Sequence, residues 1–509
     1  MNCRWYSAWP ATALVVLLTA CAPLQSVELS PERALAPAEA LLWTTLEEAK
    51  PGIWSREWYV LLNDGPQALD WRLKLIDAAT RSVDLQTFLW HPDAAGSAIT
   101  DHVLRAADRG VRIRLLIDDT FLVGEDENLL YLNHHPNIEY RIYNPYQRRS
   151  SDIATRQALN LGEFDRLDHR MHNKSMVVDG RIAIVGGRNL GDEYFGLHGE
   201  ANFRDLELLF AGPVVAEVSQ AFDAYWNGHW SFPVDRIAHV RAVPPDLQRE
   251  KEVVGGESPV HAELDSAQRP AAWLSLFESA VPGQSRLLVD MPPDTDPAAS
   301  GEAPVQVANE LENLFDAAES EVVIVSAYLI PTPSLEGAVA RAIERGVRVR
   351  ILTNSIRSNN HLAAHAAYSN HVETLLGHGA ELHEVRTDAE DRQLYMLDPV
   401  ERKLLALHAK ALIVDHDQVF IGSANLDPRS LRINTEMGLL VRSEALNELL
   451  RQSLQPDFDE GNAWRLLLDD MGRVVWVSGE TQLTEQPAES FMQRIEDWFF
   501  SQLPIEEEL

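Results

Sequence analysis

The sequence predicts an α/β fold built twice: two similar domains packed with pseudo-twofold symmetry and a site at their interface. Three observations predict it. Strand-like runs alternate with helical ones, as in an α/β chain with a mainly parallel sheet and helices on its faces. The group His172, Lys174, Asp179 and Asn189 returns as His408, Lys410, Asp415 and Asn425, at one constant offset of 236 residues. At 509 residues the chain exceeds a single core, for which roughly 150 residues is the usual allotment.

In chain order, residues 22–50 are rich in Pro, Ala and Glu and read as a tether. Residues 58–62 (WYVLL) form a strand ended by Asn63-Asp64-Gly65. Leu69, Leu73, Ile76 and Ala79 recur at helical spacing, and 83–89 alternates as a strand. A helix over 99–108 stops at Gly110 and leads into a strand at 111–117. The second half repeats this order: 322–325 answers 83–89, and the run ending in Gly346 answers the one ending in Gly110. Pro244-Pro245 and 255–259 mark the crossing between domains, and 292–304 reads as a surface loop. Residues 464–468 and 473–476 flank Asp469-Asp470-Met471-Gly472 as a hairpin. The segment 491–503 is an amphipathic helix, expected to pack on the domain because its acidic flank opposes an anionic surface. The expected organisation is 1–20 signal peptide, 21–50 tether, 51–250 first domain and 251–509 second domain.

At the start, Arg4 precedes an apolar run at 11–18 and then Leu18-Thr19-Ala20-Cys21. This resembles a bacterial lipoprotein signal, which implies cleavage before Cys21 and lipidation of that residue. The apolar run is short of the ~20 residues of a membrane span and follows Pro10. With Cys3 removed and Cys21 acylated, the mature chain holds no thiol for a disulfide. The resemblance to lipoprotein sorting signals implies the outer membrane from Ala22 after the cysteine, so the expected location is the cell envelope, anchored by lipid and facing the periplasm. The formal net charge of −33 repels phosphate backbones and argues against nucleic acid as a partner.

The two motifs carry the chemistry. In each, His and Lys lie two apart before a Val/Ile-rich run, so on a strand they point to one side. Two copies brought together supply two imidazoles and two ammonium groups. That set suits displacement at phosphorus: one imidazole attacks, the other protonates the leaving alkoxide, and the lysines neutralise the equatorial oxygens with no metal required. Each histidine needs an acid on its other ring nitrogen. Asp205 and Glu436, which follow their respective motifs, are the candidates for orienting His172 and His408. Asp179 and Asp415 belong to the repeated motif as candidate catalytic residues, and equally fit an ordering role at the turn that ends each strand.

The pattern HxKxxxxD followed by GGxN or GSxN, twice, resembles the signature of the phospholipase D superfamily. Within it, residues 170–175, 185–196, and 135–139 running into Tyr143-Asn144-Pro145 resemble bacterial cardiolipin synthases of the C type. The resemblance implies two α-β-α sandwich domains and metal-independent transphosphatidylation through a phosphohistidine. It implies His172 as nucleophile, His408 as general acid and then base, and phosphoryl binding by Lys174, Lys410, Asn189 and Asn425. It also implies phospholipid substrates, with phosphatidylglycerol first among them, and no cofactor, and it leaves open a small partner protein. Hydrolysis to phosphatidic acid is the alternative on the same residues, with a nuclease on this fold as a weaker one. His361 and His365, four apart, match zinc spacing but lack further ligands. The arginines at 148, 149, 156, 166 and 170 form a cluster that either receives headgroups or is solvated loop.

Overall fold

The computed structural model describes residues 29–238, 270–292, 306–503 and 506. Cys21, the inter-domain crossing and the loop at 293–304 lie outside them.

Each half is one sheet with the same strand order. In the first it runs Glu57–Leu62, Glu207–Ala211, Ile182–Gly186, Ser175–Val178, Ser82–Thr87, Arg112–Asp118, Ile138–Tyr143, Ser231–Pro233. In the second it runs Val281–Val289, Met437–Arg442, Gln418–Gly422, Lys410–Val414, Glu321–Ser326, Arg348–Asn354, Glu381–Val385, Ala463–Leu468. The expectation of a mainly parallel sheet holds only for the βαβ run of each half, such as Ser82–Thr87 with Arg112–Asp118 and Ile138–Tyr143. All other pairings within these two sheets are antiparallel. The motif strands come after the helical crossovers and return by tight turns, so they enter the sheet antiparallel to Ser82–Thr87 and Glu321–Ser326.

The helices form by recognisable local rules. Gly65–Ala78 starts with Asp64 accepting from Gln67 N–H and Pro66 in its first turn, and buries Leu69, Leu73 and Ile76 on one face. The helices Ala94–Asp108 and Pro333–Glu344 each end before a glycine, Gly110 and Gly346, with φ +91° and +90°.

The two sheets meet edge to edge. Glu57–Leu62 pairs with Val281–Val289, which fuses them into one 18-stranded sheet. A second seam pairs Leu404–Leu407 with Ala201–Arg204. An apolar cluster that includes Val177, Leu208, Phe210, Ala411, Ile421 and Leu439 fills the space between the halves. Burying such side chains contributes about 1.5–3 kcal/mol each, so the halves are one packed body.

Two terminal segments differ from expectation. Residues 29–49, read as tether, pack on the first half. Ala34 N–H donates to Asp223, Ala38 N–H to Asp179 O, and Trp43 in the helix Leu41–Ala49 is buried against Trp54 and Trp273. At the other end, the hairpin forms as Ala463–Leu468 with Val474–Ser478. The helix Phe491–Ser501 packs on the second half by its polar side: Asp497 bonds His365 at 2.8 Å and Gln493 Nε2 donates to Ile356 O. Its apolar face points outward, with Phe491 71% and Trp498 64% exposed. No helix among the described residues is long and apolar enough to cross a membrane.

Candidate active site

Both motifs sit at the seam, and each is placed by the opposite half. His172 N–H donates to Thr435 O and His408 N–H to Arg204 O, at 2.9 and 2.8 Å. The segments just before the histidines are held from the ends of matching strands. Asp118 accepts from Met171 N–H and the Arg170 guanidinium, while Asn354 forms a two-way pair with the backbone of Leu407. Asp118 and Asn354 are themselves 236 residues apart, a repeat hidden from the sequence reading by the change of residue type.

The orienting acids are Asp205 and Glu436, and each serves the histidine of the opposite half. His172 Nδ1 lies 2.9 Å from both carboxyl oxygens of Glu436, and His408 Nδ1 lies 2.6 Å from Asp205 Oδ2. Asp205 follows the strand Ala201–Arg204 and Glu436 follows Thr435, which bridges to Met171, so each acid leaves a segment bonded across the seam and its side chain reaches the other half's histidine. Backbone geometry accommodates this. A Cβ on Gly187 would lie 2.2 Å from Asp205 Oδ1, and at the matching position Ser423 instead donates its hydroxyl to Glu436. Arg188 donates to Asp205 O and to Glu207, fixing the loop that carries the acid.

The lysines are buried beside the imidazoles: Lys174 Nζ donates to His172 O at 2.7 Å, and Lys410 Nζ to His408 O. Burial lowers Lys174 to about 7 and Lys410 to about 8, against the pull of Glu436 on the first and Asp205 on the second. Burial, together with the lysines, also holds both imidazoles low, His408 at about 3 and His172 well below its ordinary value. The acids differ. Burial pushes Glu436 up to about 8. For Asp205 burial acts in the same direction, but His408, Lys410 and Arg188 outweigh it and hold the carboxyl below its usual range.

Asn189 and Asn425 are buried at the site, each with its side-chain oxygen unpartnered, and Asn189 Nδ2 donates to the Tyr194 hydroxyl at 3.0 Å. Aromatic rings wall the histidines: Phe88 on His172 at 5.0 Å, Tyr194 and Phe203 on His408 at 5.1 and 5.2 Å. Sequence reasoning missed these rings because the second copy repeats none of them; Ser430 stands where Tyr194 would recur.

Asp179 and Asp415 sit at the other end of the motif strands, away from the imidazoles. Both adopt left-handed backbone, φ +55° and +51°, which aspartate tolerates. Asp179 accepts from Trp43, from the Thr80 hydroxyl and from the N–H groups of Thr80, Arg81 and Ser82. Asp415 accepts from Glu319, Ser320 and Glu321 in the same way. Of the two roles the sequence leaves open for them, these contacts fit the ordering one: they tie the motif strand to the start of its neighbour.

Most of the arginine cluster is internal. Arg149 and Arg156 pair with buried Asp119, Arg170 with buried Asp118 and Arg166 with half-buried Glu163, while half-buried Arg148 donates to Leu159 O. His365 is buried on Asp497 and His361 packs on Tyr328. Among the described residues, His91, Asp93 and Glu193 bring ligand atoms within 4.8 Å of one another. Asp93 already accepts from Gly96 and Asp192 N–H groups there, capping the helix that follows.

Fold and site define a duplicated α/β enzyme in which two His–Lys pairs meet at the seam, each histidine within electrostatic reach of the other half's lysine. A family profile described as "Cardiolipin synthase, PLD-like domain" matches residues 73–226 and 311–458, and the chain belongs to that family within the phospholipase D superfamily. Cardiolipin synthase C of Escherichia coli is 35% identical over 467 residues, covering 86% of this chain and 92% of its own. Cardiolipin synthase A of Pseudomonas putida is 28% identical over 409 residues, 79% of this chain and 68% of its own. The crystal structure of phosphatidylserine synthase of Haemophilus influenzae shares the fold, with a TM-score of 0.51 at 17% identity, over 81% of this chain and 90% of that one.

Proposed function

We propose that the enzyme transfers a phosphatidyl group from one phospholipid to the headgroup hydroxyl of another, with cardiolipin as product when both are phosphatidylglycerol. The observation that carries this is the crossed pair of His–acid contacts, which gives the two imidazoles at the seam unequal partners. His172 with its proton on Nδ1 donates to a Glu436 oxygen and keeps the Nε2 lone pair free, and because burial raises the Glu436 pKa, little negative charge favours a second proton on the ring. His408 faces the ionised Asp205, which pulls against the burial and the lysines that hold the ring low, so of the two imidazoles His408 is the one whose partner stabilises a proton once a phosphoryl anion enters the site. His172 is then the nucleophile and His408 the acid.

In the first step His172 Nε2 bonds to phosphorus, the P–O bond to the headgroup glycerol breaks, and the glycerol oxygen takes a proton from His408. In the second, the hydroxyl of the incoming phosphatidylglycerol gives its proton to His408 and its oxygen to phosphorus, and the P–N bond to His172 breaks. Lys174 and Lys410 supply positive charge to the equatorial oxygens, and the amides of Asn189 and Asn425 donate to them. Acylation at Cys21 holds the enzyme on the surface that contains both substrates, in the cell envelope. The acidic charge disfavours a nucleic-acid phosphodiester as substrate.

The test is the lipid product from phosphatidylglycerol vesicles, read by mass spectrometry. Cardiolipin with released glycerol is expected. Phosphatidic acid without cardiolipin replaces transfer by hydrolysis as the reaction.

A further inference from the structure

One cavity stands beside the His172 half of the site without a role in the steps above. Its volume is about 190 Å³, and Trp90, Pro92, Leu122, Leu129, Leu132 and Tyr140 form its apolar wall. It lies between the helices Ala94–Asp108 and Asp126–Asn133 and the strand Ile138–Tyr143. Its wall is one aromatic layer from the nucleophile. Trp90 follows Phe88 by two residues and Leu122 follows Phe121 directly; the Phe88 ring is 5.4 Å from Phe121 and 5.0 Å from His172.

Three polar side chains on the wall, which also carries Ser97, Glu125 and Tyr131, direct their hydrogen bonds into the wall itself. Thr100 Oγ1 and Trp90 Nε1 donate to Gly96 O, and Asn128 Nδ2 donates to Glu125. A ligand with polar groups gains little there, whereas hydrocarbon gains the transfer free energy of its methylenes. An apolar cavity of about 150 Å³ holds benzene, so this one takes a chain segment of roughly six to eight carbons.

We propose that this cavity receives the first part of one acyl chain of the donor phospholipid while its phosphorus stands at His172 Nε2. The proposal rests on the phosphatidyl-transfer reading and adds the feature that recognises the lipid end of the donor. It makes the enzyme sensitive to acyl length on the first few carbons and indifferent to length beyond them.

The experiment measures dissociation constants of monomeric dibutanoyl and dioctanoyl phosphatidylglycerol on the full chain carrying His172→Ala, which prevents turnover. Dioctanoyl lipid is expected to bind about tenfold to a hundredfold tighter, since up to four additional methylenes of one chain enter the cavity. Thr100→Phe in the same background fills the cavity from one helix and removes the preference, leaving dibutanoyl affinity within about twofold. Asn128→Phe fills it from the opposite helix, so the test survives if one variant fails to fold. Equal affinity for the two lipids, or a preference that persists in both variants, overturns the proposal. A preference removed by the variants in a protein whose wild type makes neither cardiolipin nor phosphatidic acid leaves the cavity assignment standing and overturns the proposed reaction. Cardiolipin synthesis with a preference that ignores both variants does the reverse.

Discussion

Replacing Asp205 by asparagine tests the crossed pairing directly. In the structure Asp205 is fully buried, accepts from Leu206 N–H at 2.7 Å and stands 2.6 Å from His408 Nδ1. Asparagine keeps the shape and removes the charge. A hydrogen bond to a charged partner contributes about 1.5–3 kcal/mol, which is about tenfold to 150-fold in rate if it is made only when His408 is protonated. If the amide also turns the ring to the wrong tautomer the loss rises toward ~10⁴, as for the acid of a Ser-His-Asp triad. kcat on phosphatidylglycerol should therefore fall by about 10–10⁴ with KM little changed, because the lysines that bind the phosphoryl group are untouched.

The discriminating assay uses a p-nitrophenyl phosphodiester, whose leaving group needs no proton. Asp205→Asn acts through the acid His408 and should spare formation of the phosphoenzyme from this substrate, seen as a burst of nitrophenolate. Glu436→Gln acts through the nucleophile His172 and should slow that burst as much as it slows the natural reaction. The opposite pattern, with Glu436→Gln spared and Asp205→Asn slowed in the burst, would refute either the crossed geometry or the assignment of roles. Equal loss for both variants on both substrates would show that the acids are structural only.

Three further outcomes are expected. Asp179→Ala leaves buried donors without an acceptor and should cost about 3–5 kcal/mol, roughly 3–5 °C in Tm for a packed body of this size, while kcat per folded molecule stays within about threefold; the more exposed Asp415→Ala should cost about 1–2 kcal/mol. A hundredfold loss of kcat at unchanged Tm would return either aspartate to the chemistry. Burial lowers Lys174 to about 7 and Lys410 to about 8, so their ammonium groups are present below those values and lost above them. kcat/KM should then fall as pH rises through 7 to 8, and the fall in kcat should lie at higher pH because bound phosphoryl oxygens favour the charged lysines; a flat profile to pH 9 would contradict it. Gly187→Ala places a methyl 2.2 Å from Asp205 Oδ1 and should reproduce the leaving-group dependence of Asp205→Asn at about a tenth of its severity or more, measured by the same burst assay.

The duplication, the polar residues of both motifs and most strands and helices were legible in the sequence, because a constant offset of 236 survives only where each half keeps the same chain path. His172, Lys174, His408 and Lys410 were readable for the same reason, as were Asp205 and Glu436 as acids in hydrophobic strand context. Sheet direction was not: βαβ spacing marks the parallel run, but nothing local says that the motif strand enters antiparallel. The arginine cluster was misread because charge counting cannot see that Asp118 and Asp119 lie beneath it.

The sequence by itself therefore determined what the two half-sites contain, since composition and periodicity are properties of each half alone. Which acid serves which histidine was decided only by tertiary structure, along with the rings that wall the pocket and the removal of Asp179 and Asp415 from it. The reason is physical: an imidazole is oriented by the carboxylate nearest in space, and here the seam brings residues 203 and 264 positions apart in the chain within 2.6 and 2.9 Å.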